Sequence, residues 1–432
     1  MVVYMNKKTN NKLLGCIADD FTGASDAASF LAKKGVNTLL FNGIPDDSET
    51  IQDYEAVVIA TKIRSIPAEE AVRDTLKASK WLKQQGAEQI YYKYCSTFDS
   101  TPKGNIGPDI DCILDQYSIR YTFLCPSLPV NNRLVKNGVL FVDGKPVAEG
   151  HMANHPLNPI WASEIAELMR PQGKYPCMII DGNLLKKTKD EILSAVNQFG
   201  EGKEHFYVIP DYSSDEEGKR IAEVFGDLPF MTGGSGILEH LADRYKNQNE
   251  CNLKETDSHG VLGRGIALSG SCSTMTCRQC LKYEMKNQAI AVYPSRLMDG
   301  TQTVDSIWKQ VQEEPDKDFL IYSAGATDPE SRRYKDNETF LKASQILEQV
   351  MAQLGRKAYD TGFTRIICAG GETSSVICME LGFDAFIIGA SIAPGVPILT
   401  PLHAQHMRLV LKSGNFGEED FFNKAFEMTK VK

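Results

Sequence analysis

A short apolar run, a loop rich in Gly, Ser, Thr or Asp, and an amphipathic stretch follow one another repeatedly along this chain. That alternation reads as βα units, with strands side by side in a mainly parallel sheet and helices on its faces. The first unit has a strand over 13–18, a loop over 19–23 and a helix over 24–34. Further strands are predicted over 38–41, 56–61, 89–94, 121–125, 177–180 and 205–209, with helices over 68–85 and 108–116. The segment 139–142, Asp143-Gly144, 145–149 reads as a hairpin, because Asp-Gly suits a tight turn.

A polar stretch at 247–259 leads to Gly260 and Gly263, and after it the pattern restarts. Strands are predicted over 266–268, 289–293, 319–322, 366–368, 385–388 and 408–411. A helix over 340–354 places Leu347, Val350, Met351 and Leu354 on one face. With 432 residues, the expectation is an α/β protein of two lobes, each with a mainly parallel sheet flanked by helices. The N-terminal domain is expected over 1–246, the linker over 247–263 and the C-terminal domain over 264–432. The active site is expected in the interdomain cleft.

Composition narrows the partners. Lys and Arg number 47 against 56 Asp and Glu, a net charge of −9, with no like-charge run as long as about five or six residues, which disfavours nucleic acid. No apolar stretch reaches the ~18 residues of a membrane helix. The polar start at 1–12 has no signal-peptide h-region, and the eleven cysteines are scattered. The expectation is a cytoplasmic protein whose ligands are small molecules, with self-association possible.

In parallel sheets ligands sit where strands end and loops enter helices. Four such loops stand out. Asp19 and Asp20 end the first strand, followed by Phe21-Thr22-Gly23. Two carboxylates there can orient hydroxyls or accept a proton, although a helix cap is the plain alternative. The segment 93–108 is polar and holds Lys93 and Lys103, while Arg64 follows a neighbouring strand; these cations can grip a carboxylate. Ser269-Gly270-Ser271-Cys272-Ser273 and Gly370-Gly371-Glu372-Thr373 each join a strand to a helix, the setting in which backbone amides bind phosphate. Lys412-Ser413-Gly414-Asn415-Phe416-Gly417, after the last strand, is placed to close that site.

Other phosphate and metal motifs are missing. There is no Gly-x-x-x-x-Gly-Lys-Ser/Thr and no Gly-x-Gly-x-x-Gly after a strand. Cys277 and Cys280 lack the second pair that a structural zinc needs, so no metal site is assigned to protein ligands. His151 and His155, in an unusual loop, are candidates for substrate contact, and Gly233-Gly234-Ser235-Gly236 reads as a helix entry.

Taken in order, the segments 18–24, 93–108, 124–127, 269–273, 370–373 and 412–417 make this chain resemble the four-carbon acid sugar kinases over nearly its whole length. The resemblance implies an N-terminal sugar-acid domain and a C-terminal nucleotide domain. It implies phosphorylation of the terminal (4-) hydroxyl of a four-carbon sugar acid, with ATP and Mg²⁺. By the same resemblance, Ser269, Gly370, Gly371, Glu372, Thr373 and Gly414 contact the nucleotide. Asp19, Asp20, Arg64, Lys93, Ser96, Thr97, Asp99 and Lys103 bind the acid, with Asp20 or Asp19 as the catalytic group. The segments 94–100 and 155–157 look most like the enzymes acting on 3-oxo-tetronate; threonate and erythronate are the alternatives. A non-catalytic sugar-acid sensor is the competing reading of another class. A nicotinamide-dependent oxidoreductase is disfavoured by the missing glycine fingerprint.

Overall fold

The computed structural model describes residues 12–49, 51, 53–154, 159–246, 260–325 and 337–431. His155 and the polar stretch 247–259 lie outside them, as does the side chain of His151. The described residues pack as two units. The first comprises those of Met1–Gly23, Lys33–Thr38 and Ile44–Leu253; the second comprises those of Ala24–Ala32, Leu39–Gly43 and Lys254–Lys432.

Eighteen strands are described, numbered in chain order. They are β1 (Leu13–Ala18), β2 (Thr38–Asn42), β3 (Ala56–Ala60), β4 (Ala87–Lys93), β5 (Tyr121–Cys125), β6 (Arg133–Lys136), β7 (Val139–Val142), β8 (Lys145–Pro146), β9 (Cys177–Ile180), β10 (Phe206–Pro210), β11 (Phe230–Gly233), β12 (Arg264–Ser269), β13 (Gln288–Val292), β14 (Phe319–Ser323), β15 (Phe363–Ala369), β16 (Ala385–Ala393), β17 (Val396–Pro401) and β18 (Arg408–Lys412).

In the first unit β3, β1, β4, β11, β5, β10 and β9 lie in that spatial order, and each neighbouring pair is parallel. Val57, Val58, Ile59, Leu14, Ile17 and Ile90 are buried, as parallel strands covered on both faces require. Register fixes the site. Ala18 pairs with Ala60 on one side and Lys93 on the other, Lys93 with Gly233, and Gly233 with Cys125. The residues that follow these positions therefore emerge along one edge.

A separate antiparallel ribbon, β6-β7-β8, carries the hairpin expected at Asp143-Gly144, where both residues have positive φ (51° and 81°). Asn137-Gly138 makes the same kind of turn one strand earlier, with φ of 51° and 73°.

In the second unit β13, β14, β12, β15 and β18 are parallel in that order. β17 and then β16 continue antiparallel. Leu39, Leu40 and Phe41 of β2 pair antiparallel with Ile387, Phe386 and Ala385, and Ser29 Oγ lies 2.9 Å from Ser391 Oγ. These bonds attach residues 24–32 and 39–43 to the second unit, although they precede most of the first in sequence. Ala267, Ile367 and Val410 form its core with Phe421, Phe422 and Phe426 of the last helix. Among the described residues no helix is long and apolar enough to cross a membrane.

Candidate active site

The carboxyl edge of the first unit gathers charge. Asp19, the residue after β1, is 1% exposed, and the Arg64 guanidinium grips it with two parallel bonds: Nε to Oδ2 at 2.9 Å and Nη2 to Oδ1 at 2.8 Å. Nη2 also reaches Asp20 Oδ2 at 2.7 Å, and Nη1 lies 3.8 Å from Asp99 Oδ2. The helix Phe21–Lys33 starts immediately after Asp20, whose Oδ1 accepts from the Gly23 amide. Asp20 thus caps the helix and binds Arg64 at once. A side chain at position 23 would press on Asp20 Oδ1 and crowd Lys93 Nζ, which explains the glycine.

Burial pushes the Asp19 carboxyl up, and Arg64, followed by Lys93, pulls it back. Burial also works against the Arg64 charge, yet Asp19 and Asp20 hold it well above its ordinary range. The fork joins a buried carboxylate to a guanidinium that keeps 21% of its side chain exposed, and each charge is favoured by the other against the cost of burial. Lys93 ends β4, is buried, and donates from Nζ to the Tyr94 carbonyl at 3.0 Å.

The structure brings Asp19, Asp20, Arg64, Lys93 and Asp99 together. Thr97 is buried with Oγ1 3.0 Å from Cys95 Sγ, Ser96 is half-buried, and Lys103 is exposed. Sequence reasoning missed two residues that hold this edge. Asn105 Nδ2 donates to the carbonyls of Ile63 and, at 2.8 Å, of Ile66, so it fixes the turn that carries Arg64. Gln172 Oε1 accepts from Ser100 Oγ at 3.1 Å and the Gly107 amide at 3.2 Å. Asparagine just before a helical pattern was a readable signal for the first; nothing local marks the second. Deeper in the unit, burial raises the Asp109 carboxyl to about 7, against its bonds from Tyr92 and Thr75.

The carboxyl edge of the second unit is built differently. Three loops leave the adjacent parallel strands β12, β15 and β18, in register at Ser269, Ala369 and Lys412. Ser273 caps the helix Thr274–Glu284 by accepting from the Thr276 amide. The helix Gly371–Leu381 starts after Gly370, whose φ is 119°. A Cβ at Gly270 would stand 2.3 Å from Thr373 Oγ1, and one at Gly414 would stand 3.0 Å from Ser271 Oγ. The loops approach closely because each glycine accepts a hydroxyl-bearing side chain of a neighbouring loop where a Cβ would stand.

Of the predicted nucleotide residues, Gly370, Gly371, Thr373 and Gly414 converge here, with Gly371 and Glu372 exposed and Thr373 buried. Ser269 is fully buried, with Oγ 3.8 Å from Cys280 Sγ, so the hydroxyls at the loop surface are those of Ser271 and Ser273. Gln279 was also missed: Nε2 donates to the carbonyls of Phe416, Gly417 and Glu418 at 3.0, 3.1 and 2.9 Å. Among the described residues no group of three or more His, Cys, Asp or Glu is arranged to hold a metal. Gly233, Gly234 and Gly236 lie against the backbone of Cys125, Pro126 and Ser127, where any Cβ would collide with a carbonyl.

A charged edge and a backbone-lined edge are what a small polar substrate and a phosphate-bearing one respectively require. A model of a sugar-binding N-terminal domain matches residues 14–241, and one of a nucleotide-binding C-terminal domain matches 266–422. The chain belongs to the four-carbon acid sugar kinase family. It is an enzyme of the kinase class. A Brucella melitensis relative is 38% identical over 425 residues, covering 97% of this chain and 95% of its own, and bears the name 3-oxo-tetronate kinase. So does a Haemophilus influenzae relative, 37% identical over 96% of this chain and 99% of its own. Among solved structures, a Salmonella typhimurium LT2 chain described as a tRNA synthase candidate is 36% identical, with a TM-score of 0.84 over 95% of this chain and 98% of its own. A Haemophilus influenzae protein of the same family has a TM-score of 0.76 at 36% identity, over 96% and 100%.

Proposed function

We propose that this kinase transfers the γ-phosphoryl group of ATP to the 4-hydroxyl of 3-oxo-tetronate in the cytoplasm. What carries the reading is the near-complete alignment, at 37–38% identity, to relatives named for that reaction. The geometry supports a division of labour. Residues 1–246 supply the acid site, 264–432 the nucleotide site, and 247–263 the link between them.

In this reading the glycines at 270, 370 and 414 let the three loops pack closely against Thr373, Ser271 and Ser273, so that loop amides and the hydroxyls of Ser271 and Ser273 together receive the phosphates. Mg²⁺ carried on those phosphates supplies charge neutralisation, with few protein ligands. Asp20, with its side chain 30% exposed, orients the attacking hydroxyl and takes its proton as the new O–P bond forms and the bond to ADP breaks. Asp19 has both oxygens in the Arg64 fork, so it acts as a positioning residue. Arg64 Nη1, the most loosely held of the three guanidinium nitrogens, is the part available to the substrate carboxylate, with Asp99 beside it; Ser96 and Lys103 are the further contacts of this reading.

The decisive experiment is a coupled ADP-release assay over 3-oxo-tetronate, threonate and erythronate stereoisomers. Highest kcat/KM with a 3-oxo-tetronate supports the reading. Preference for another four-carbon acid revises the substrate, and no ADP with any acid turns the reading toward a sensor. Asp20→Asn should lower turnover by about 100-fold or more; an unchanged rate would remove Asp20 from the role of base.

A further inference from the structure

Lys412 is fully buried, and no carboxylate among the described residues pairs with it. Its Nζ donates to Gly414 O at 2.7 Å, Thr276 Oγ1 at 2.9 Å and Ser413 O at 3.1 Å. Thr276 Oγ1 in turn donates to Gly414 O at 2.6 Å and receives the Ser273 hydroxyl at 3.0 Å, and Ser273 Oγ lies 3.2 Å from Ser271 Oγ. The main chain of the same lysine reaches the third loop, because its carbonyl accepts from the Gly370 amide at 2.8 Å. The ring of Phe421, 5.6 Å from Nζ, closes the site from the last helix. One residue thus fastens all three loops, each through a different bond.

A buried ammonium held only by neutral acceptors is costly in the free protein, since it loses hydration and gains no counter-charge. Burial accordingly lowers the Lys412 ammonium to about 7. Such a group is stabilised when an anion arrives nearby, and the loops it fastens are those whose glycines allow close packing at the proposed phosphate site.

We propose that Lys412 is a positioning residue for the nucleotide: its ammonium ties the loop after β18 to the helix start that follows β12, while its carbonyl holds the loop after β15, and the charge is lent to the phosphates from beneath. The proposal rests on the nucleotide reading of the second unit, and the test separates the two.

ATP binding to the full chain is measured by calorimetry with a non-hydrolysable analogue and Mg²⁺, alongside steady-state KM and kcat, for wild type, Lys412→Met, Lys412→Arg and Thr276→Val. Wild type binds the analogue; Lys412→Met raises KM for ATP and the analogue Kd by about tenfold or more, while KM for the sugar acid stays within about twofold. Lys412→Arg keeps the charge and recovers part of the affinity. Thr276→Val, which removes one acceptor and keeps the shape, gives a smaller shift of the same kind and carries the test if Lys412→Met does not fold. Unchanged nucleotide affinity in Lys412→Met, or in Thr276→Val where that variant carries the test, overturns the positioning role alone. A matched rise in both KM values also overturns it, since that marks general loss of structure. A wild type that binds no nucleotide overturns the reading of the second unit, and the role of Lys412 with it.

Discussion

Lys93 and Lys412 occupy matching places in the two units. Each ends a parallel strand, is buried, and donates to the carbonyl of the residue that follows it. Their surroundings differ. Lys93 lies beside a cluster in which Asp19, Asp20 and Asp99 surround Arg64, whereas Lys412 sits among hydroxyls and carbonyls. The first edge is made of side-chain charges that compensate one another. The second is made of backbone, glycine and hydroxyl, with one hidden cation. A small acid with several hydroxyls needs directional side chains; a triphosphate needs amides and a positive field. A similar strand-end lysine serves both edges, and the neighbours decide its work.

The largest expected effect comes from breaking the charged edge. Arg64→Met leaves Asp19 buried without its fork and should destabilise the protein by about 3–5 kcal/mol. Chemical denaturation measures it, and a loss below about 1 kcal/mol would mean that Asp19 does not depend on Arg64. The backbone edge should give a smaller loss. Gly370→Ala forces a Cβ onto φ of 119° beside Thr373 and Ser271 and should cost about 1–3 kcal/mol, with weakened nucleotide binding and little change in acid binding. Equal stability to wild type would show that the loop relaxes freely.

Buried groups in the two units should give pH slopes of opposite sign, each up to about 1 kcal/mol per pH unit. The folded Lys412 titrates near 7, below its ordinary 10.5, so the unfolded chain binds more protons in that window and stability rises with pH across it. Asp109 titrates near 7 when folded and at 3.8 ordinarily, so the folded chain binds more protons and stability falls as pH rises from about 4 to 7. Melting temperatures for Lys412→Met and Asp109→Asn against wild type isolate each slope; a variant with the wild-type slope disproves its assignment. The smallest effect is at the shared cap. Asp20→Asn keeps an oxygen for the Gly23 amide but gives up the partly exposed pair with Arg64 Nη2, and should cost only about 0.5–1 kcal/mol, so a large loss of turnover would be chemical. A drop of several kcal/mol would instead make Asp20 chiefly structural.

Much of the fold was legible. Strands such as 13–18, 121–125 and 177–180 are apolar runs with sharp ends, and the structure gives them the same bounds. β11 and β17 escaped notice because Phe230-Met231-Thr232-Gly233 is short and runs into glycines, and Val396–Pro401 carries prolines that usually mark loops. The carboxylates at 19 and 20 were visible as a pair. The helix cap was foreseen as the plain alternative, and Asp20 makes it; that Asp19 would be locked in a fork was not visible, because Arg64 lies 45 residues away from it. Gln172 and Gln279 were invisible as site-builders for the same reason, and Lys412, visible only as the start of the closing loop, gave no sign of its buried bond to Thr276.

The sequence by itself determined the βα pattern, the loops at strand ends and the family, because periodicity and loop chemistry are local and survive at each position. Only the tertiary structure decided that residues 24–32 and 39–43 pack with the second unit, that Arg64 is already engaged by acids, and that a buried lysine fastens three glycine loops. Each of these depends on groups far apart in the chain meeting out of bulk water, where pairing and burial set which charges persist.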